Sequence, residues 1–222
     1  MSTVTPGVDT REMIAVHSAF RREFGLAPAL VRGVAPGDVQ RAQVVADHLE
    51  LIGTFLHHHH VGEDKLLWPK LLERVPAELA PTVALMERQH EGVHEVIEEM
   101  RAALARWRAD AAEADRDELA GALDRLHALL VEHLAAEEKH ILPLASRALT
   151  PEEWGELGED GMAAQPKSKL PMIFGMIMKD ADREVIRGML ANAPLVPRLM
   201  LPFVGPRAYA RYARRVYGSV PA

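Results

Sequence analysis

From Leu119 to His140 the chain places Leu119, Leu123, Leu126, Leu130, His133, Glu137 and His140 at steps that alternate four and three without a fault. A period near 3.5 residues keeps all seven on one narrow helical face, the seam of a helix packed at a shallow angle against others. Three further segments carry the same rhythm: Met13, Val16, Phe20 and Phe24; then Val45, His48, Ile52, Phe55, His59, Gly62 or Glu63, and Leu66; then Val83, Met86, His90, Val93, Ile97, Met100, Leu104 and Trp107. In the second, third and fourth helices the seam turns polar along its length, with histidine or glutamate replacing the aliphatic residue, and in the first His17 sits in the core-facing rhythm.

Local signals set the expected limits. The first helix starts near Asp9, with Asp9 and Glu12 at capping-box spacing, and Gly25 and Pro28 predict a kink or early end. The second runs from near Asp38 to about Trp68, where Pro69 breaks or bends it. The third begins between Ala77 and Thr82 and reaches Arg108; the fourth runs from near Asp115 to Leu142, ahead of Pro143. Short connections make neighbours antiparallel. The fold expected is therefore all-α: an up-down-up-down four-helix bundle over residues 9–148, after a disordered N-terminus at 1–8.

Residues 149–222 read as a C-terminal helical extension. Thr150, Pro151 and Glu153 form a helix start. A loop is expected at 161–168, with short helices near 169–178, 182–192 and 207–217, interrupted by Pro194, Pro197, Pro202 and Pro206. The net charge of −6 divides unevenly: the last acid is Glu184, and six arginines follow it. That basic tail, with Tyr209, Tyr212 and Tyr217 among its arginines, reads as a helix docking on an acidic bundle; phosphate, anionic lipid or nucleic acid is the competing partner.

Cysteine is absent, so thiolate metal sites, disulfides and catalytic thiols are excluded. Residues 1–7 lack a basic, apolar leader pattern, and no apolar run approaches the ~18 residues of a membrane span. A cytoplasmic protein without a transmembrane segment is expected. No Gly-rich phosphate loop, nucleophile–base arrangement or zinc-finger spacing is present, and no nucleic-acid partner is expected.

The chemistry lies in the polar part of the seams. His17 stands in the first helix; His59 and Glu63, His90 and His94, and His133 and Glu137 are pairs four apart, hence one turn along one face. Seven such side chains inside a bundle would cost roughly 2–7 kcal/mol each if unpaired. Cations satisfy them better than they satisfy one another. Imidazole and carboxylate donors without sulfur suit iron, manganese or zinc, and iron is the redox-active choice.

In this order and spacing the chain resembles the hemerythrin family, including the bacterial hemerythrin-like (HHE cation-binding) proteins. The strings His59-His60-Val61-Gly62-Glu63-Asp64 and Leu66-Leu67-Trp68-Pro69 share the likeness, which covers roughly residues 10–147. The resemblance implies two iron ions joined by an oxide or hydroxide and bridged by Glu63 and Glu137. His90, His94 and His133 would hold one, and His17 and His59 the other, which keeps an open position for oxygen, peroxide or nitric oxide. The chain departs from the oxygen carriers in one respect. They have aspartate five residues after the last histidine; here Glu137 stands four after His133, followed by Glu138.

His59 is the expected ligand because it combines a seam position with Glu63; a shift of frame would make it His58 or His60. His48 and His140 read as core or supporting histidines, His127 as exposed, and Asp64 and Glu138 as carboxylates that either steady a ligand or face solvent. Three functions follow: a module that binds or senses oxygen, an enzyme that processes peroxide or nitric oxide, and an iron-storage or interaction module acting through the basic extension.

Overall fold

The computed structural model describes residues 7–75, 80–191 and 193–221, and every regular element among them is helical. The long helices are α1 (Arg11–Arg32), α2 (Val39–Gly62), α4 (Ala80–Asp110) and α5 (Glu113–His140). Shorter α3 (Trp68–Arg74) and α6 (Leu142–Ala148) follow α2 and α5, and the extension supplies α7 (Pro151–Ala163), α8 (Leu170–Met178), α9 (Arg183–Met189) and α10 (Leu195–Tyr217). No helix among the described residues is long and apolar enough to cross a membrane. The expected start of the third helix falls partly on residues 76–79, and the end of the ninth on Asn192, both outside the described residues.

The starts follow local chemistry. Asp38 caps α2 by accepting from the Arg41 backbone N–H at 3.0 Å, and Thr150 with Glu153 forms a complete capping box on α7. At α1 the capping box expected from Asp9 and Glu12 does not form. Thr10 is the N-cap without a side-chain bond, and Asp9 instead accepts from the Arg11 backbone and guanidinium. Val8, expected in a disordered terminus, is buried and donates its N–H to the Ser146 carbonyl at 2.9 Å. A side chain at Gly7 would collide with that same Ser146 backbone, so the close approach needs glycine there.

The prolines do not all act as expected. Pro28 lies inside α1, which continues to Arg32. The fourth long helix ends at His140, ahead of Pro143 as expected, while the second leaves the α-helical pattern at Glu63, before Pro69; each of these two prolines is the second residue of a new helix, where a missing N–H costs nothing. Between α2 and α3 the chain makes a π-turn, Glu63–Leu67, with the Trp68 N–H bonded to the Glu63 carbonyl. Helix α10 runs through Pro197, Pro202 and Pro206, starting twelve residues earlier than expected. Its intrahelical losses are offset by packing on α8, which crosses so closely that a side chain at Gly175 would strike the Gly205 backbone. The loop expected from residue 161 starts only after α7 ends at Ala163.

Each long helix packs on two others: α1 on α2 and α5, α4 on α2 and α5. Two apolar clusters result. The larger holds Phe20, Phe24, Leu49, Ile52, Trp107 and Leu126, and the smaller holds Met13, Trp68, Met86 and Ile141. His17, His60, Glu63, His90, His133 and Glu137 are buried between them. Met172, Ile173, Ile177 and Tyr209 of the extension belong to the larger cluster.

A second polar group ties α10 down. The buried Glu23 carboxylate accepts from the Tyr209 hydroxyl at 2.7 Å and the Tyr217 hydroxyl at 2.6 Å, and Arg22 reaches it at 2.9 Å. His48, also buried, lies 2.8 Å from the Tyr217 hydroxyl through Nε2 and 3.0 Å from the Tyr212 hydroxyl through Nδ1. Burial pushes the His48 imidazole down to about 4, against the opposing charge of Glu23. An unfolded imidazole titrates near 6.5, so below that pH the unfolded chain takes up the extra proton first. Stability held above pH 6.5 is therefore lost as pH falls toward 4. Urea melts should show about 2 kcal/mol less stability from this residue at pH 5 than at pH 7. His48→Gln should remove that share of the slope; an unchanged slope would refute the assignment. His140, expected in the core, is exposed instead.

Candidate metal centre

Between the two apolar clusters the four long helices and the π-turn deliver two groups of donors. One comprises His60, Glu63, His90 and His133; the other comprises His17, His59, Glu63 and Glu137; within each, the donor atoms lie within 4.8 Å of one another. The two groups share Glu63. Its Oε1 is 3.3 Å from His59 Nε2 and its Oε2 is 3.4 Å from His90 Nε2, so the carboxylate faces both. Glu137 Oε2 lies 3.4 Å from His17 Nε2 and 3.8 Å from His133 Nε2.

The geometry of α2 explains the sharing. His59 and His60 are successive residues and point about 100° apart. His59 sits beside His17, ring centroids 5.3 Å apart, while His60 stacks on His90 at 4.1 Å. Glu63 is four residues after the first and three after the second, so it lies one turn along from both. The π-turn that begins at Glu63 adds a residue to the helical phase and brings Asp64 and Trp68 against His90.

Three imidazoles are oriented from behind. Asp64 Oδ1 accepts from His90 Nδ1 at 2.9 Å, and the Trp68 indole donates to the same oxygen at 2.8 Å. Glu138 Oε1 accepts from His17 Nδ1 at 2.9 Å and from Arg21 at 2.7 Å. Gln89 Oε1 lies 3.3 Å from His133 Nδ1. Burial opposes ionisation of Asp64 and Glu138, but bonds from His90 and Trp68 to one, and from His17 and Arg21 to the other, hold both carboxyls below their usual range. Each Nδ1 therefore carries its proton outward, and each Nε2 turns a bare lone pair inward.

The inward atoms lack partners. His17, His59 and His60 Nε2 and all four oxygens of Glu63 and Glu137 are buried without a hydrogen bond. His90 and His133 direct Nε2 at each other across 3.1 Å. Two lone pairs face each other poorly, yet adjacent nitrogens on a cation with bonds of about 2.1 Å stand about 3 Å apart. Burial drives His59 and His60 well below the ordinary imidazole value, with the neighbouring histidines adding to it. Burial lowers His133 to about 3, with His90 and His17 contributing. Burial and the charge of Glu137 push Glu63 well above the carboxylate range. Neutral imidazoles around crowded carboxylates are what a cation site requires, and the residues fit one.

Six of the seven expected ligands meet here; His94 does not. It is exposed on α4 and lines a cleft of about 270 Å³ with His57, His60, Asp64 and His90. The α4 seam already shows why, since after His90 it continues through Val93 and Ile97, and His94 stands beside it. The position expected for His94 is filled by His60, whose signal was its spacing of three from Glu63. Gln89, Trp68 and Arg21 carry no spacing pattern and were not foreseeable. On the His59 side a separate cavity of about 100 Å³ is walled by Val16, Phe55, Trp154, Leu157 and Ile177, with Gly158 and Gly161 of α7 at its edge.

No curated protein and no solved structure matches the chain. The family model of the hemerythrin HHE cation-binding domain matches residues 8–145, a span that holds every donor of both groups. The chain belongs to the hemerythrin HHE cation-binding family, whose non-haem iron chemistry accords with this imidazole and carboxylate site.

Proposed function

We propose that the chain holds two iron ions between its long helices and uses them to bind, sense or detoxify oxygen or small oxidants such as peroxide and nitric oxide. The observation that carries this reading is the doubled donor set around one shared carboxylate, Glu63, with its oxygens turned to different histidines. His60, His90 and His133 would hold one ion, His17 and His59 the other, with Glu63 and Glu137 bridging. Iron bound there supplies redox chemistry on small oxidants. The protein's own part is to keep His59, His60 and His133 neutral by burial, to fix the Nε2 atoms of His90, His17 and His133 through Asp64, Glu138 and Gln89, and to exclude water with the apolar clusters on either side.

The arrangement proposed for the four long helices is up-down-up-down. The order of residues along each supports it: α1 and α4 pass from the smaller apolar cluster through the donors to the larger, and α2 and α5 pass the other way. The group around His17 and His59 has one histidine fewer than its neighbour and lies beside the apolar cavity, so small ligands would approach on that side.

Iron content of the purified protein, with optical spectra before and after anaerobic reduction and then on admission of oxygen or peroxide, tests the proposal. Two irons per chain and an oxidant-dependent spectrum are expected. A folded protein that neither contains nor takes up iron overturns it. A side chain at Gly161 meets open space and, at a helical position, costs no backbone strain. Gly161 lines the cavity, so Gly161→Leu should narrow it and slow oxidant-driven spectral change about tenfold with iron content unchanged. An unchanged rate would place the approach elsewhere.

A further inference from the structure

The outer face of α10 is left bare. Leu195, Val196, Leu199, Met200, Phe203 and Val204 are exposed, the first two at 70%, Leu199 at 59% and Phe203 at 65%. Continuing along the same face at steps of three and four come Arg207, Arg211 and Arg214, all exposed. None of the three has a carboxylate partner among the described residues, although most arginines of α1, α4 and α5 do. The opposite face of the helix is fixed, with Gly205 against α8 and Tyr209, Ala213 and Val216 in the interior. The stripe is thus presented on a rigid support, its first half apolar and its second half cationic.

We infer that this stripe docks α10 on an anionic lipid surface. The apolar half suits immersion below the headgroups, and the arginines then stand level with lipid phosphates or carboxylates. Charge favours this partner. Beyond Glu184 the chain has six arginines and no acid, while the rest of the molecule is acidic, so an anionic surface attracts this face and repels the others. A second copy of the chain fits less well. Elsewhere the exposed large apolar side chains, such as Ile14, Val39, Leu72 and Leu129, are scattered over different helices and form no matching stripe among the described residues. Pairing α10 with itself would set arginines against arginines in parallel, or against the apolar half when antiparallel.

Co-sedimentation of the full-length, metal-loaded protein with vesicles tests this. Vesicles of phosphatidylcholine with phosphatidylglycerol are compared with phosphatidylcholine alone, at low and high salt. Partition should favour the anionic vesicles at least about tenfold and weaken with salt. Leu199→Ser with Phe203→Ser should lower it about tenfold or more, and Arg207→Gln, Arg211→Gln and Arg214→Gln together about a hundredfold, with the salt dependence lost. All five positions are exposed, so circular dichroism and iron content should stay unchanged and separate this result from the fate of the metal proposal. Absence of vesicle binding, equal partition on both compositions, or variants that partition like the parent would overturn the inference. So would light scattering showing a dimer that Phe203→Ser dissolves, the sign of a second copy on this face.

Discussion

Glu63→Ala is expected to empty both metal positions at once. Glu63 belongs to both donor groups and offers one oxygen to His59 and the other to His90. Its loss takes a ligand from each ion and leaves Glu137 as the one carboxylate of the two groups to offset two cations. Iron measured by mass spectrometry should fall from about two per chain to near zero. Neighbouring substitutions make the result specific. His60→Ala should lose roughly one iron, and His94→Ala should keep both, since His94 lines the outer cleft rather than the donor group. If Glu63→Ala retains its iron, the shared-carboxylate arrangement is wrong. If His94→Ala loses iron and His60→Ala does not, the assignment read from the HxxxH spacing stands and that of the geometry falls.

The second large effect lies far from the metal. Tyr209→Phe combined with Tyr217→Phe removes both hydroxyls that donate to the buried Glu23 carboxylate. Bonds to a charged acceptor contribute about 1.5–3 kcal/mol each, and the carboxylate left behind keeps only Arg22. A destabilisation of about 3–6 kcal/mol is expected, with a fall in Tm of roughly 10–20 °C. Adding Glu23→Gln should recover part of the loss, because the unsatisfied charge disappears with it. Calorimetry on the three proteins is the measurement; a double variant within about 1 kcal/mol of the parent would show that packing alone holds α10.

How much of this was legible in the residues depends on whether local rhythm or tertiary contact decided it. The four seams are local, so the long helices and six of the seven donors were readable from steps of three and four. His60 and His94 show the limit. Both lie within reach of a partner in sequence; the pair spacing favoured His94, while the α4 seam through Val93 and Ile97 leaves it outside and the spacing of three to Glu63 brings His60 in. The π-turn changes the helical phase at Glu63 and leaves no composition signal, which is why the break or bend was placed at Pro69. In α10 the prolines outweighed the apolar rhythm in the reading, while in the structure the Gly175–Gly205 crossing offsets them. The Glu23 group was invisible because its tyrosines Tyr209 and Tyr217 lie 186 and 194 residues from Glu23.

That group has a bearing on how such a protein can be taken apart. The family match ends at residue 145, which invites excision of the histidine-bearing part as a portable cassette. The hydroxyls that neutralise Glu23 and shield His48 come from beyond that point, as do aliphatic neighbours of Phe20 and Phe24 in the same apolar cluster. Cutting there would leave that carboxylate without its hydroxyl donors in an open greasy furrow. Any grafting or fusion scheme has to treat the last seventy-odd residues as inseparable cargo.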